Sequence, residues 1–150
     1  SSDHYMNEIF KEVLDNNVSA AELTELVSVV SSNMSSDHYI TEIFKELANS
    51  QKMTDDIVIK LSQMVRQMSS SHYASEVLKA LSDQNLTEKQ IIILLEATSS
   101  IDSDHYLTMV LVEFSDKVRA GSSNLKDAYR KAAKSISSDT YYGRAVKAID

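Results

Sequence analysis

Ser35-Ser36-Asp37-His38-Tyr39 marks a repeat, because the same five residues, unchanged or with one substitution, occur five times in 150 residues. It stands first at Ser1 to Tyr5 and returns, with small changes, from Ser69, Asp102 and Ser137. The marker tyrosines are spaced 34, 34, 33 and 35 residues apart, and they are Tyr5, Tyr39, Tyr73, Tyr106 and Tyr141. A fixed period of this length is typical of stacked repeats. We predict one domain with repeats 1–34, 35–68, 69–101 and 102–136 and a half repeat 137–150.

Each repeat carries two apolar patterns of helical period. The second repeat shows them most plainly, with one face built from Tyr39, Ile40, Ile43, Phe44 and Leu47 and another from Ile57, Val58, Leu61, Met64, Val65 and Met68. The chain has no proline and only two glycines. The pattern predicts an all-α fold, a right-handed α-solenoid of about four and a half antiparallel helix pairs.

The recurring serines have a local structural explanation. A serine or aspartate at a helix start accepts a backbone N–H that has no partner inside the helix, and we expect Ser35, Ser69, Asp102 and Ser137 to do so. Ser19 with Glu22 and Thr87 with Gln90 predict capping boxes at second helices. In the fourth repeat, Ala120-Gly121-Ser122-Ser123 precedes a second helix with smaller apolar residues, so looser stacking is expected there.

The histidines His4, His38, His72 and His105 occupy equivalent positions and predict a ladder along one edge of the array. Metal or small-ligand binding by this edge is one interpretation. Neighbouring packed helices lie roughly 8–10 Å apart, whereas a shared zinc needs ligand nitrogens within about 2 Å of it. The spacing favours a structural histidine and no metal site.

Serine, aspartate and histidine occur together in several repeats. An active site is normally a single constellation in a pocket, whereas a helix cap is needed at every helix start. Neither glycine has another within six residues, so no glycine-rich phosphate loop is present. The sequence therefore predicts a protein that is not an enzyme and that carries no cofactor.

Charge is distributed unevenly along the chain. Residues 1–116 hold 7 Lys/Arg against 19 Asp/Glu, whereas residues 117–150 hold 8 against 3. Lys126, Arg130 and Lys134 form an i, i+4, i+8 stripe with Lys131 beside it. This stripe could dock an acidic partner, face solvent at the end of the array, or complement an acidic neighbouring segment. Nucleic acid is disfavoured because the acidic part would repel phosphates.

Ile59 and Ile92 lie about 120° from the centres of their helices' apolar stripes. They are candidates for a partner groove, and the alternative is that interior repeats need a wider apolar face. No apolar run approaches the roughly 18–20 residues that span a bilayer, so no membrane insertion is expected.

Ser-Asp-His-Tyr followed by Glu-Ile-Phe-Lys-Glu-Leu in the second repeat, and Glu-Val-Leu-Lys-Ala-Leu in the third, resembles degenerate HEAT-like α-solenoid repeats of bacterial proteins. The resemblance covers the whole chain and implies paired antiparallel helices with a curved binding surface. The compartment, cell envelope or cytoplasm, stays open. It carries over no catalytic residue.

These observations lead to one main hypothesis, a non-catalytic interaction or scaffold module within a larger bacterial protein, with another protein as its partner. Two alternatives stay open. The first is self-assembly between the acidic amino end of one copy and the basic carboxyl end of the next, and the second is ligand binding along the histidine edge.

Overall fold

A computed structural model describes residues 36–50 and 52–150 continuously. In the first repeat it describes only single residues, which are His4, Tyr5, Glu8, Lys11, Ser19, Ala21, Glu22, Glu25, Leu26, Ser28 and Val29. The predicted cap Ser35 lies outside the described residues.

The described part of the chain is helical and contains no strand. The second repeat contains α1 (Asp37–Ser50) and α2 (Asp55–Gln67), and the third contains α3 (Ser71–Ser82), α4 (Glu88–Ala97) and a short 3-10 helix (Thr98–Ser100). The fourth contains α5 (Asp104–Arg119) and α6 (Ser123–Ala133), and α7 (Asp139–Lys147) follows. The all-α prediction is therefore confirmed.

The helices form two layers. The first helices stack in the order α1, α3, α5, α7, and the second helices stack beside them in the order α2, α4, α6. The predicted apolar faces of the second repeat fill the space between the layers, where Phe44, Leu47, Ile57 and Leu61 are fully buried. Because each helix packs on its counterpart in the next repeat, the apolar core runs continuously through the described array.

The first helices begin one residue later than the sequence predicted. The hydroxyls of Ser70, Ser103 and Ser138, rather than Ser69, Asp102 and Ser137, accept the capping N–H of the tyrosine three residues on. The capping box predicted at the second helix of the third repeat is confirmed, because Thr87 and Gln90 form both of its hydrogen bonds. In the first repeat the Ser19 hydroxyl accepts the Glu22 N–H at 3.2 Å.

The displaced serines have another partner, the marker aspartate of the preceding repeat. The Asp37 carboxylate accepts the Ser70 N–H at 3.2 Å and the Ser69 hydroxyl at 3.4 Å. The Asp104 carboxylate accepts the N–H groups of Ser137 at 3.2 Å and Ser138 at 2.9 Å. The marker aspartate therefore joins two repeats, because it binds free N–H groups at the next helix start.

Carboxylates at the starts of the second helices join repeats in the same way. Asp55 accepts hydrogen bonds from Gln90 at 2.9 Å and Lys89 at 3.3 Å, and Glu88 accepts the Ser122 hydroxyl at 2.5 Å and N–H at 3.0 Å. The Gln90 side chain lowers the pKa of Asp55, and the Ser122 hydroxyl lowers the pKa of Glu88. Both carboxylates therefore stay ionised where the repeats meet.

Candidate interaction surfaces

The marker histidines and tyrosines form one alternating row of rings. Tyr73, for example, lies between His72 of its own repeat, at 5.1 Å between ring centroids, and His38 of the preceding repeat, at 6.0 Å. The same arrangement surrounds Tyr39 and Tyr106. These distances are within the range of edge-to-face aromatic pairs. The predicted histidine ladder is thus interleaved with tyrosines, because each of these three tyrosine rings contacts histidines of two repeats.

The row changes at the fifth marker, where Thr140 replaces the histidine. Tyr141 still contacts His105 of the preceding repeat at 5.9 Å, and its hydroxyl lies 3.4 Å from His105 Nδ1. The Arg144 guanidinium also lies over this ring, 5.3 Å from its centroid. Among the described residues, no group of three or more His, Cys, Asp or Glu side chains is placed to hold a metal ion.

Tyr5 differs from the other marker tyrosines in exposure. Tyr39, Tyr73, Tyr106 and Tyr141 are half-buried and pack against the core, whereas Tyr5 is 71% exposed. Each of the other four rings is contacted by a histidine of the preceding repeat.

The predicted basic stripe lies on α6. Lys126 is half-buried, and Arg130, Lys131 and Lys134 are exposed. Arg130 forms an ion pair with Asp127 at 3.6 Å, one turn away. The structure divides the four cations, because Lys131 lines a groove against α4 and the other three occupy a different face of the helix.

That other face is the one that earlier second helices turn toward the next repeat. Counted from the N-cap, Lys126 corresponds to Val58 and Ile91, both buried. Arg130 corresponds in the same way to Ser62 and Leu95, which are also buried. Cations therefore replace buried residues, three of the four apolar, at these positions of α6.

The corresponding face of α7 is also uncovered. Tyr142 corresponds to Ile40, Ala74 and Leu107, which are all buried, yet Tyr142 is 41% exposed. Gly143 is exposed and Val146 is half-buried on the same side of the helix. A shallow cavity of about 650 Å³ lies over these three residues, and Asp139 and Lys147 also line it.

We call these two adjoining faces the α6–α7 flank. It consists of Lys126, Arg130, Lys134, Tyr142, Gly143 and Val146. Its centre on α7 is partly apolar and its α6 side is basic. Sequence reasoning identified the three cations and missed the α7 half. Aligning the marker repeats would have found it, since Tyr142 stands in a column of buried apolar residues.

A second opening of about 430 Å³ lies between α4 and α6. Leu95, Ala128 and Ala132 form its apolar part, and Glu96 and Lys131 stand on opposite sides. Ala128 corresponds to Ile93 of the preceding second helix, so a smaller side chain leaves the space open. The groove is located where the smaller residues of the fourth repeat led us to expect looser stacking.

Ile59 and Ile92, the two predicted groove residues, have different surroundings. Ile59 is 36% exposed on α2, whereas Ile92 is half-buried and packs against the core. Neither lines the openings described above. Within the described ranges, no helix is long and apolar enough to cross a membrane.

Comparisons with known proteins give no family. No protein-family model and no curated protein matches this chain. A solved structure described as "Computational Design of Self-Assembling Cyclic Protein Homooligomers" matches at 11% identity and a TM-score of 0.26. The match covers 99% of this chain and 55% of that one, so the chain spans about half of its length. A likeness at this level supports no conclusion about fold or function.

Proposed function

We propose that this chain is a non-catalytic, HEAT-like interaction module that binds an acidic helical element of a partner protein on the α6–α7 flank. The single observation that carries the proposal is the replacement of buried stacking residues by Lys126 and Arg130 on α6. Cations at these positions would not stabilise an apolar core within the chain. They suit a docking face, because such a face must stay soluble before the partner binds.

The form of the partner follows from the geometry of the other repeats. At every described stacking interface, the equivalent positions receive a helix of the next repeat. A helix that docks on the flank would place apolar residues over Tyr142 and Val146 and carboxylates near the three cations. Opposite charges would speed the encounter and fix its orientation, and salt would weaken it.

Capture from a bacterial extract tests this proposal. The parent chain is compared with a flank variant, Lys126→Glu, Arg130→Glu and Lys134→Glu, and with a matched control on the second repeat, Lys52→Glu, Lys60→Glu and Arg66→Glu. Both variants change the net charge by the same amount. We expect an acidic protein to be captured by parent and control and at least tenfold less by the flank variant.

Cross-linking adds the residue-level readout. A zero-length carboxylate-to-amine cross-linker should join the captured protein to Lys126 or Lys134, and the yield should fall at about 500 mM salt. The proposal is wrong if parent and flank variant capture the same proteins in equal amounts, or if the cross-links map to the second repeat.

A further inference from the structure

We infer that the acidic partner of the α6–α7 flank is a second copy of this chain, which docks its first repeat head to tail. This inference rests on the proposed function, since it names the occupant of the same face. Residues 1–34 hold one Lys/Arg against six Asp/Glu, while residues 117–150 hold eight against three. Residues 1–34 and residues 117–150 are therefore complementary in charge.

Two acidic residues of the first repeat lie at positions that face the preceding repeat elsewhere in the array. Glu22 and Glu25 correspond, counted from the N-cap, to Gln90 and Ala128, and both of those face the preceding repeat. Gln90 bonds back to Asp55 of the preceding repeat, and Ala128 lines the groove against α4. Glu22 and Glu25 are exposed. They would meet Lys126, Arg130 and Lys134 of another copy.

Exposed apolar residues of the first repeat share this face. Val29 corresponds to Met64, Ala97 and Ala132, of which the first two are buried, yet Val29 is 41% exposed. Tyr5 is 71% exposed, whereas its four counterparts are half-buried. Each counterpart is contacted by a histidine of the preceding repeat. The first repeat therefore exposes two apolar side chains and three carboxylates at positions that face the preceding repeat elsewhere in the array, and the flank offers Tyr142 and Val146 together with three cations.

One existing ion pair supplies a template for the contact between copies. Lys45 on α1 pairs with Glu76 on α3 of the next repeat, with 3.2 Å between Nζ and Oε2. Lys147 on α7 occupies the position of Lys45, and Glu8 occupies the position of Glu76. Both residues are exposed. A second copy stacked in register would bring Glu8 to Lys147 as a new pair between chains.

The contact is heterologous, because it joins two different faces of the same chain. Such a contact propagates into chains of copies unless its rotation closes a ring. It differs from the internal interfaces in having charged residues in place of buried apolar ones, so we expect an association that depends on salt and concentration.

Sedimentation velocity over about 1–500 µM protein, at 50 and 500 mM NaCl, tests the inference with two variants. The first is the flank variant defined above, and the second, the head variant, is Glu8→Lys, Glu22→Lys and Glu25→Lys. We expect the parent to associate at low salt and to dissociate at least tenfold more readily at high salt. Each variant alone should remain monomeric, while the matched second-repeat control should associate like the parent.

Mixing the variants provides the decisive measurement. In an equimolar mixture the normal first repeat of the flank variant can meet the normal flank of the head variant, and the two reversed faces are complementary to each other. The mixture should therefore regain the association that neither variant shows alone. In a separate pair of substitutions, Glu8→Lys or Lys147→Glu alone should weaken association, and the two together should restore it. Thermal unfolding of each variant shows that it is folded.

The outcomes separate the inference from the proposed function. A parent chain that is monomeric at every concentration and salt overturns the inference, and if the flank variant still loses an acidic protein from extract, the proposed function stands. Association that survives both triple variants also overturns the inference. If the flank variant changes neither association nor capture, both ideas are wrong.

Discussion

The Tyr129 hydroxyl donates a hydrogen bond to the main-chain carbonyl of Ala145, with 2.6 Å between the oxygens. Tyr129 is the largest fully buried side chain of the described array, and its bond links α6 to α7. The Ile149 N–H donates to the Val146 carbonyl at 3.3 Å and not to the Ala145 carbonyl four residues before it. The phenol therefore supplies the Ala145 carbonyl with a donor near the end of α7. The buried phenol therefore adds a hydrogen bond to the apolar packing that holds the last described helix.

This bond leads to a prediction for alkaline pH. Burial raises the pKa of Tyr129 from 10.0 to about 12, so the folded chain holds this proton more tightly than the unfolded chain. The stabilisation is complete below pH 10 and is lost as pH rises through about 12. Tyr129→Phe should lower the free energy of unfolding at pH 8 by about 1–2 kcal/mol, since it leaves a buried carbonyl without its donor.

Urea unfolding at pH 8 and at pH 11 measures both effects. The parent should lose stability between the two pH values, and Tyr129→Phe should lose less. Tyr142→Phe, at an exposed position on α7, is the control and should follow the parent. An identical loss in parent and Tyr129→Phe would show that other groups control alkaline unfolding.

Asp104 provides a prediction for the bonds between repeats. Its carboxylate accepts two N–H groups, from Ser137 and Ser138, so Asp104→Ala leaves both donors at the α7 start unpaired. We expect a loss of about 1–2 kcal/mol, because hydrogen bonds to a charged acceptor are stronger than neutral ones. Hydrogen exchange should show faster exchange of these two amides. Ser71→Ala is the comparison, since the third repeat has serine where the marker aspartate stands elsewhere, and it should cost less.

The fold was predictable from the sequence because its determinants are local and repeated. The apolar period identified both helices of the second repeat, and Ile57, Val58 and Leu61 are all buried there. The cap positions were wrong by one residue because Ser69 and Ser70 are chemically equivalent as caps. The choice between them depends on Asp37, which lies 32 residues earlier and cannot be placed by local pattern.

The candidate site was predictable only in part. Helical spacing grouped Lys126, Arg130 and Lys134 on one face, yet it could not show which neighbour that face would meet. Tyr142, which is 41% exposed, was missed because exposure is set by tertiary packing and not by helical spacing. Ile59 and Ile92 look alike in sequence, and packing alone makes one exposed and the other half-buried.

The ring ladder gives a prediction with a built-in comparison. Tyr73 is half-buried between His38 and His72 and packs against the core, so Tyr73→Ala should lower the free energy of unfolding by about 2–3 kcal/mol. Tyr5→Ala removes the same ring at a position that is 71% exposed, and it should cost less than about 0.5 kcal/mol. Denaturant midpoints of both variants and the parent, measured in parallel at high salt, give the two costs. Equal costs at the two positions would mean that the ladder adds nothing to stacking.

The two glycines should respond oppositely to alanine. A Cβ at Gly121 would lie 2.6 Å from Leu125 Cδ2 and 3.3 Å from the Lys117 carbonyl oxygen, and Leu125 is buried. Something must shift to admit it, so Gly121→Ala should destabilise the chain by about 1 kcal/mol or more. A Cβ at Gly143 meets no atom within 4 Å, and this glycine lies inside α7, where alanine is favoured by about 0.5–1 kcal/mol.

Thermal unfolding at about 500 mM NaCl, where contacts between copies are screened, measures the glycine pair. We expect Gly143→Ala to melt a few degrees above the parent and Gly121→Ala to melt below it. Because both changes add one methyl group, their opposite signs can only come from the space around each position and from the helix that contains Gly143. Stabilisation by both would show that Leu125 and the turn after α5 yield at little cost, so that the tight approach of Gly121 to α6 is not required for the fourth repeat to stack.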